Sequence, residues 1–201
     1  MKDFFADGRI DDGLSYTEYE DEWKDKINRS KEGLTPKERR YQFYAQYNWD
    51  RSQGVIADFE PGEALHDAVG SITDPQIWMV LTEDWCGDSA FSLPIIALAA
   101  DLNDNVTLRI LRRDENLDIM DKYLTSGSRS IPKLVAFSSE GEELFQWGPR
   151  PRAAAELRKQ LKAKGKSGKE ISNALIEWYQ DGGYEMVEDE LVERLTRAVP
   201  A

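Results

Sequence analysis

The 201-residue chain has one cysteine, Cys86, and one histidine, His66. A single thiol excludes any internal disulfide. One thiol and one imidazole make no zinc site without carboxylates or a second chain, so no metal is expected. Long apolar runs are also missing. No window approaches the ~20 residues a transmembrane helix needs. The opening Met1-Lys2-Asp3-Phe4-Phe5-Ala6-Asp7 lacks the apolar stretch of a secretory signal. Basic residues are too few to balance the acids: 26 against 38, for a net charge of −12. That excess argues against general nucleic-acid binding and against an anionic membrane surface. With an unpaired thiol, these absences lead us to expect a protein of a reducing compartment, the cytoplasm.

What is present supports a packed core, since 40% of the residues are hydrophobic. Tyr16, Tyr19, Trp23 and Ile27 recur at helical spacing. Thr35-Pro36-Lys37-Glu38 then marks a second helix start, with a capping threonine, a first-turn proline and a reciprocal glutamate. Tyr41, Phe43, Tyr44 and Tyr47 follow, an aromatic stripe expected to pack on its own domain. The stretch Pro61 to Val69 reads as the first helix of the core, and His66 within it as a structural residue. Toward the C-terminus, Ala153 to Leu161 is a helical run, and Lys162 to Lys169 reads as an exposed, mobile connector. Two amphipathic helices follow, around Ile171, Leu175 and Trp178 and around Val187, Leu191 and Leu195. Arg150 to Glu170 holds eight basic and two acidic residues, read as a solvated face rather than an anion site. No internal repeat is present.

Chemistry concentrates around Cys86. Ile77-Trp78-Met79-Val80-Leu81 reads as a buried strand, and Phe91, Leu93, Ile95, Ile96, Leu98 and Ala99 populate a helix. Between them stands Trp85-Cys86-Gly87-Asp88-Ser89. A cysteine opening a helix meets unpaired N–H groups and the positive end of the helix dipole, which favour the thiolate. The alternative, a small apolar packing residue, fits these polar surroundings less well. Ser89 is either a helix-compatible polar residue or a hydrogen-bond donor to the sulfur. Asp88 favours the helix start, yet with Glu83 and Asp84 it opposes a thiolate. The balance predicts an accessible, moderately activated thiol titrating at about 7–8, below the free value of about 8.5.

The pentapeptide resembles the Trp-Cys-Gly-x-Cys active site of the thioredoxin superfamily, with Ser89 in place of the second cysteine. Pro94 matches the family's helix-kinking proline. Ile131-Pro132 before Leu134-Val135-Ala136-Phe137 resembles its cis-proline loop, and Gly141 and Gly148 match its last turns. Two departures stand beside these matches. Val80 occupies the position of the family's buried acid, and Asp88 that of its usual proline.

The resemblance implies an α/β, thioredoxin-like fold: a central mixed sheet flanked by helices, with helical N- and C-terminal extensions. The expected domains are 1–50, a helical extension packing on the core; 51–162, the thioredoxin-like domain; and 163–201, the C-terminal helices. Strands are expected at 76–82, 106–112, 132–138 and 143–148. The implied activity is monothiol thiol-disulfide exchange, with Cys86 and Ser89 as the catalytic pair. Trp85, Gly87, Asp88, Ile131 and Pro132 would bind substrate, with Trp85 at the rim of the site and Ile131-Pro132 cis beside the sulfur. The partners implied are a disulfide-containing or small-thiol-capped client protein and an external small thiol for resolution. No cofactor is implied; Cys86 alone gives no support for a subunit-bridging iron–sulfur cluster of the kind some glutaredoxins hold. The competing reading is a redox-silent thioredoxin-like module that binds partners on the Ile131-Pro132 groove.

Overall fold

A computed structural model describes residues 3–198. Met1, Lys2 and residues 199–201, which the sequence reading included in its terminal segments, lie outside the described residues. The chain begins with helices α1 (Asp3–Ala6), α2 (Tyr16–Asn28), α3 (Pro36–Asp58) and α4 (Glu63–Gly70). Strand β1 (Gln76–Thr82), helix α5 (Gly87–Ala100) and strand β2 (Val106–Arg112) follow. The short helix α6 (Leu117–Met120) leads to the strands β3 (Lys133–Ser138) and β4 (Glu143–Trp147). Helices α7 (Arg152–Ala163), α8 (Gly168–Gln180) and α9 (Met186–Ala198) complete the chain.

The sheet order is β2-β1-β3-β4. β1 runs parallel to β2 and antiparallel to β3, and β3 is antiparallel to β4. A parallel pair needs a crossover, and α5 supplies it. This is the α/β mixed sheet that the sequence led us to expect. β3 starts one residue later than expected because Pro132 has no N–H to give a ladder. β4 stops before Gly148, whose φ of +107° leaves the strand conformation. An isolated bridge between Leu14 and Ile110 lays the N-terminal chain along the outer edge of β2.

Alternation along the strands divides the core in two. Trp78 and Val80 of β1 join Leu134 and Ala136 of β3 in a large cluster with α3, α4, α5, α8 and α9. Met79 and Leu81 join Val135 and Phe137 in a smaller one with Phe4, Ile119, Met120, Ile131 and Cys86. Both faces of the central strands are therefore covered, which explains the near-continuous apolar runs of β1 and β3.

Thr35 and Glu38 form the reciprocal cap that the sequence signalled, and α3 then runs unbroken through residue 50. Its buried face is made by Gln42, Ala45, Asn48, Ser52 and Val55. The aromatic stripe lies off that face. Tyr41 packs on Trp85, whereas Phe43, Tyr44 and Tyr47 are exposed, against the expectation that the stripe packs on its own domain. Small side chains, not aromatics, give α3 its close approach to the core. The expected connector 162–169 also contracts to Lys164–Ser167. Ser167 caps α8 with Glu170 reciprocally, a helix start carried by polar residues inside a basic run. His66 is exposed on α4. Among the described residues, no helix is long and apolar enough to cross a membrane.

Candidate functional site

Cys86 is the N-cap residue of α5, with extended backbone angles (φ −86°, ψ 119°). Its Sγ lies 3.3 Å from the Ile131 carbonyl, to which the thiol donates. The Ile131–Pro132 peptide is cis. The two segments singled out in the sequence, Trp85 to Ser89 and Ile131-Pro132, thus meet at the sulfur. A Cβ added to Gly87 would meet nothing within 4 Å, so the helix entry leaves room for an approaching chain.

Two forces act on the sulfur. The Asp88 and Ser89 N–H groups and the Ser89 hydroxyl hydrogen-bond to it and lower its pKa. Burial acts the other way and is the largest cause, with the Asp88 charge next. Cys86 is only 9% exposed. The thiol is pushed up to about 11. This corrects the expectation of an accessible thiol titrating near 7–8. The helix start is there, but the cysteine is closed in by the smaller core, and loss of hydration penalises its charged form more than the dipole favours it.

Ser89 is buried, and the Thr82 hydroxyl donates to its Oγ at 2.7 Å. With that lone pair occupied, the Ser89 proton is free to point at Cys86. The Asp88 carboxylate is engaged within the protein. Its carboxylate accepts from Arg150 Nε at 3.1 Å and from the Tyr179 hydroxyl at 3.0 Å. The other two acids near the motif are engaged elsewhere. Asp84 is buried between Lys26 (2.6 Å) and Arg112 (3.4 Å). The Glu83 carboxylate accepts from the Asp114 N–H at 2.8 Å, and burial raises it to about 7.

Trp85 is half-buried, and its ring is already engaged. Tyr41 stacks on it at 4.9 Å and 19°, and the Arg113 guanidinium lies 5.0 Å from the ring centre. Trp85, Tyr41 and Glu83 face a cleft of about 690 Å³ that also borders Lys26, Arg29 and Arg112. Neither Cys86 nor Pro132 lines it. Among the described residues, no group of three or more His, Cys, Asp and Glu is placed to hold a metal ion.

Sequence reasoning missed Thr82, Arg150 and Tyr179. Thr82 carried a faint signal, a polar residue ending a buried strand. Arg150 and Tyr179 carried none, because they reach Asp88 from 62 and 91 positions away.

A family model described as thioredoxin matches residues 33–162. No curated protein matches the chain. Among solved structures, the chain is similar to a protein of unknown function, PA1234, from Pseudomonas aeruginosa. The TM-score is 0.60 at 18% identity, covering 94% of this chain and 96% of that one. It is also similar to an HIV epitope-scaffold designated 4E10, with a TM-score of 0.58 at 19% identity and the same coverage of 94% and 96%. At this identity the likeness bears on the fold alone.

Proposed function

The chain belongs to the thioredoxin family, and from that premise we propose that it acts as a monothiol thiol-disulfide oxidoreductase through Cys86. The supporting observation is the sulfur at the N-terminus of α5, 3.3 Å from the Ile131 carbonyl beside Pro132. A second cysteine is absent, and Ser89 stands at the far end of the motif.

In the first step the Cys86 thiolate attacks one sulfur of a client disulfide or of a small-thiol cap. An S–S bond forms between Cys86 and the attacked sulfur, giving a Cys86–client or Cys86–small-thiol adduct, as the original S–S bond breaks and the other sulfur leaves as a thiolate that takes up a proton. The Ile131 backbone beside the sulfur and the open space at Gly87 would hold the extended client segment. In the second step an external small thiol, as its thiolate, attacks the mixed disulfide and returns Cys86. Ser89 cannot do this, since a neutral hydroxyl does not displace a thiolate. A thiol held up to about 11 is scarcely ionised at neutral pH, but its thiolate is intrinsically a strong nucleophile. It is also a poor leaving group, so the mixed disulfide is long-lived. A reducing compartment such as the cytoplasm would supply the resolving thiol.

Oxidised small-thiol disulfides, incubated with the protein at pH 9 and followed by intact mass, test this reading. One adduct is expected on the unmodified chain and none on Cys86→Ser. If Cys86 alkylates readily but forms no mixed disulfide with any capped substrate, the reading fails. One observation favours a second reading: Cys86 is 9% exposed with its thiol strongly protonated. A redox-silent module would then use the same groove to hold an extended peptide. Peptide binding undiminished in Cys86→Ser, without exchange, is the outcome that would select it.

A further inference from the structure

Helix α8 lies beyond the stretch 33–162 that matches the family, yet it delivers a side chain to the active-site motif. Tyr179 is buried on α8, its ring stacked on Phe91 at 4.7 Å and 8°, one turn beyond Asp88 on α5. That stacking fixes the hydroxyl, which donates to Asp88 Oδ1 at 3.0 Å. Arg150, just after the turn that ends β4, donates through Nε to the same oxygen at 3.1 Å. Both partners of the ion pair are largely withdrawn from water, with 17% and 13% of their side chains exposed. Asp88 stands two residues from Cys86, so its charge and its orientation are felt at the sulfur.

We propose that Arg150 and Tyr179 are positioning residues that hold the Asp88 carboxylate away from Cys86 and balance its charge, so that α8, through Tyr179, contributes to the reactivity of the nucleophile. The inference rests on Cys86 being the exchange nucleophile, but its geometry concerns the thiol whether or not exchange follows. The groups facing the sulfur are few. From α5 come Asp88 and Ser89; from the β3 side comes the uncharged Ile131 carbonyl. Arg150 and the buried Tyr19 of α2 also act on it through space. The carboxylate of Asp88 opposes a neighbouring thiolate, whereas the Arg150 guanidinium favours one. The phenol of Tyr179 is held protonated by burial, so it serves Asp88 as a donor. Without that donor the carboxylate is less tied to Arg150, and its field falls more fully on Cys86.

The test is the iodoacetamide alkylation rate of Cys86 from pH 7 to 11, on folded full-length variants. Asp88→Asn should raise the rate at pH 8 by about 3–10-fold, because an opposing charge is removed. Arg150→Met should lower it by about 3–10-fold, and Arg150→Lys should restore part of the loss, since the charge returns without the planar fork. Tyr179→Phe keeps the ring on Phe91 and should lower the rate by about 2–3-fold. In the Asp88→Asn background the Tyr179→Phe effect should vanish, because Tyr179 acts through Asp88. Unchanged profiles in Asp88→Asn and Tyr179→Phe, or a Tyr179→Phe effect that persists undiminished in the Asp88→Asn background, would overturn the proposal. Loss of mixed-disulfide formation with these shifts intact would overturn the exchange reading and leave this one standing.

Discussion

The Thr82 hydroxyl donates to the Ser89 hydroxyl across 2.7 Å, and both side chains are buried. The end of β1 thereby orients Ser89, three positions after Cys86. With Thr82 donating, Ser89 has one proton to give, and Cys86 is the neighbour that gains from it. Ser89→Ala should remove that donor and slow alkylation of Cys86 at pH 9 by about 3–10-fold, the loss expected for one ordinary net hydrogen bond. Ser89→Cys should act in the opposite sense on function: it restores an internal resolving sulfur, so dithiol-driven reduction of insulin should rise well above that of the unmodified chain. An unchanged insulin rate in a folded Ser89→Cys protein would show that the two positions cannot close a disulfide.

The pH dependence separates the structure from the first reading of the sequence. Below its inflection, a thiol's alkylation rate climbs about tenfold per pH unit, following the thiolate fraction. With the Cys86 thiol up at about 11, the rate should keep climbing from pH 7 through pH 10. A plateau by pH 8.5 would instead mean that the helix start outweighs burial.

This difference shows what the sequence could carry. The four strands were legible to within a residue or two, because β1 and β3 are covered on both faces and read as unbroken apolar runs. The meeting of Cys86 with Ile131-Pro132 was legible through the resemblance, which supplied a contact between residues 45 positions apart. The depth of Cys86 was not. It depends on Phe4, Met120 and Ile131 closing over one face of the sheet, and none of these is near it in sequence. The Asp88 environment was hidden for the same reason: Arg150 and Tyr179 arrive from separate elements. Local rules placed three acids near the thiol, but folding tied Asp84 to Lys26 and Arg112 and Glu83 to the Asp114 backbone.

Glu83 gives a stability prediction with a definite sign. In the unfolded chain its carboxyl ionises near the ordinary 4.5, while burial in the fold raises it to about 7. The folded state therefore holds the proton more tightly, and stability falls as pH rises from about 4.5 to about 7. The interval corresponds to at most about 3 kcal/mol, less where the neighbouring cleft admits water. Glu83→Gln keeps an oxygen for the Asp114 N–H and removes the titration. It should be more stable than the unmodified chain by about 1–2 kcal/mol at pH 8 in urea unfolding, and equal to it at pH 4. The same difference at both pH values would mean that the carboxyl is not the cause.

Gly148 links the last strand to the site. Its φ of +107° is a conformation that side chains rarely adopt, and an added Cβ would stand 2.3 Å from the Pro132 carbonyl oxygen. That oxygen belongs to backbone, so the clash is relieved only by moving the segment that carries Ile131. Gly127 is a fair comparison, with a φ of +74° but nothing within 4 Å of a new Cβ. Gly127→Ala should cost about 1–2 kcal/mol from backbone conformation alone and leave the Cys86 alkylation profile unchanged. Gly148→Ala should cost about 2–4 kcal/mol. It should also alter the profile, because the Ile131 carbonyl that accepts from the Cys86 thiol is displaced. Thermal unfolding and alkylation measured on both variants check this. If Gly148→Ala proves no more costly than Gly127→Ala and leaves the thiol untouched, then the Pro132 loop does not depend on the close approach of Gly148.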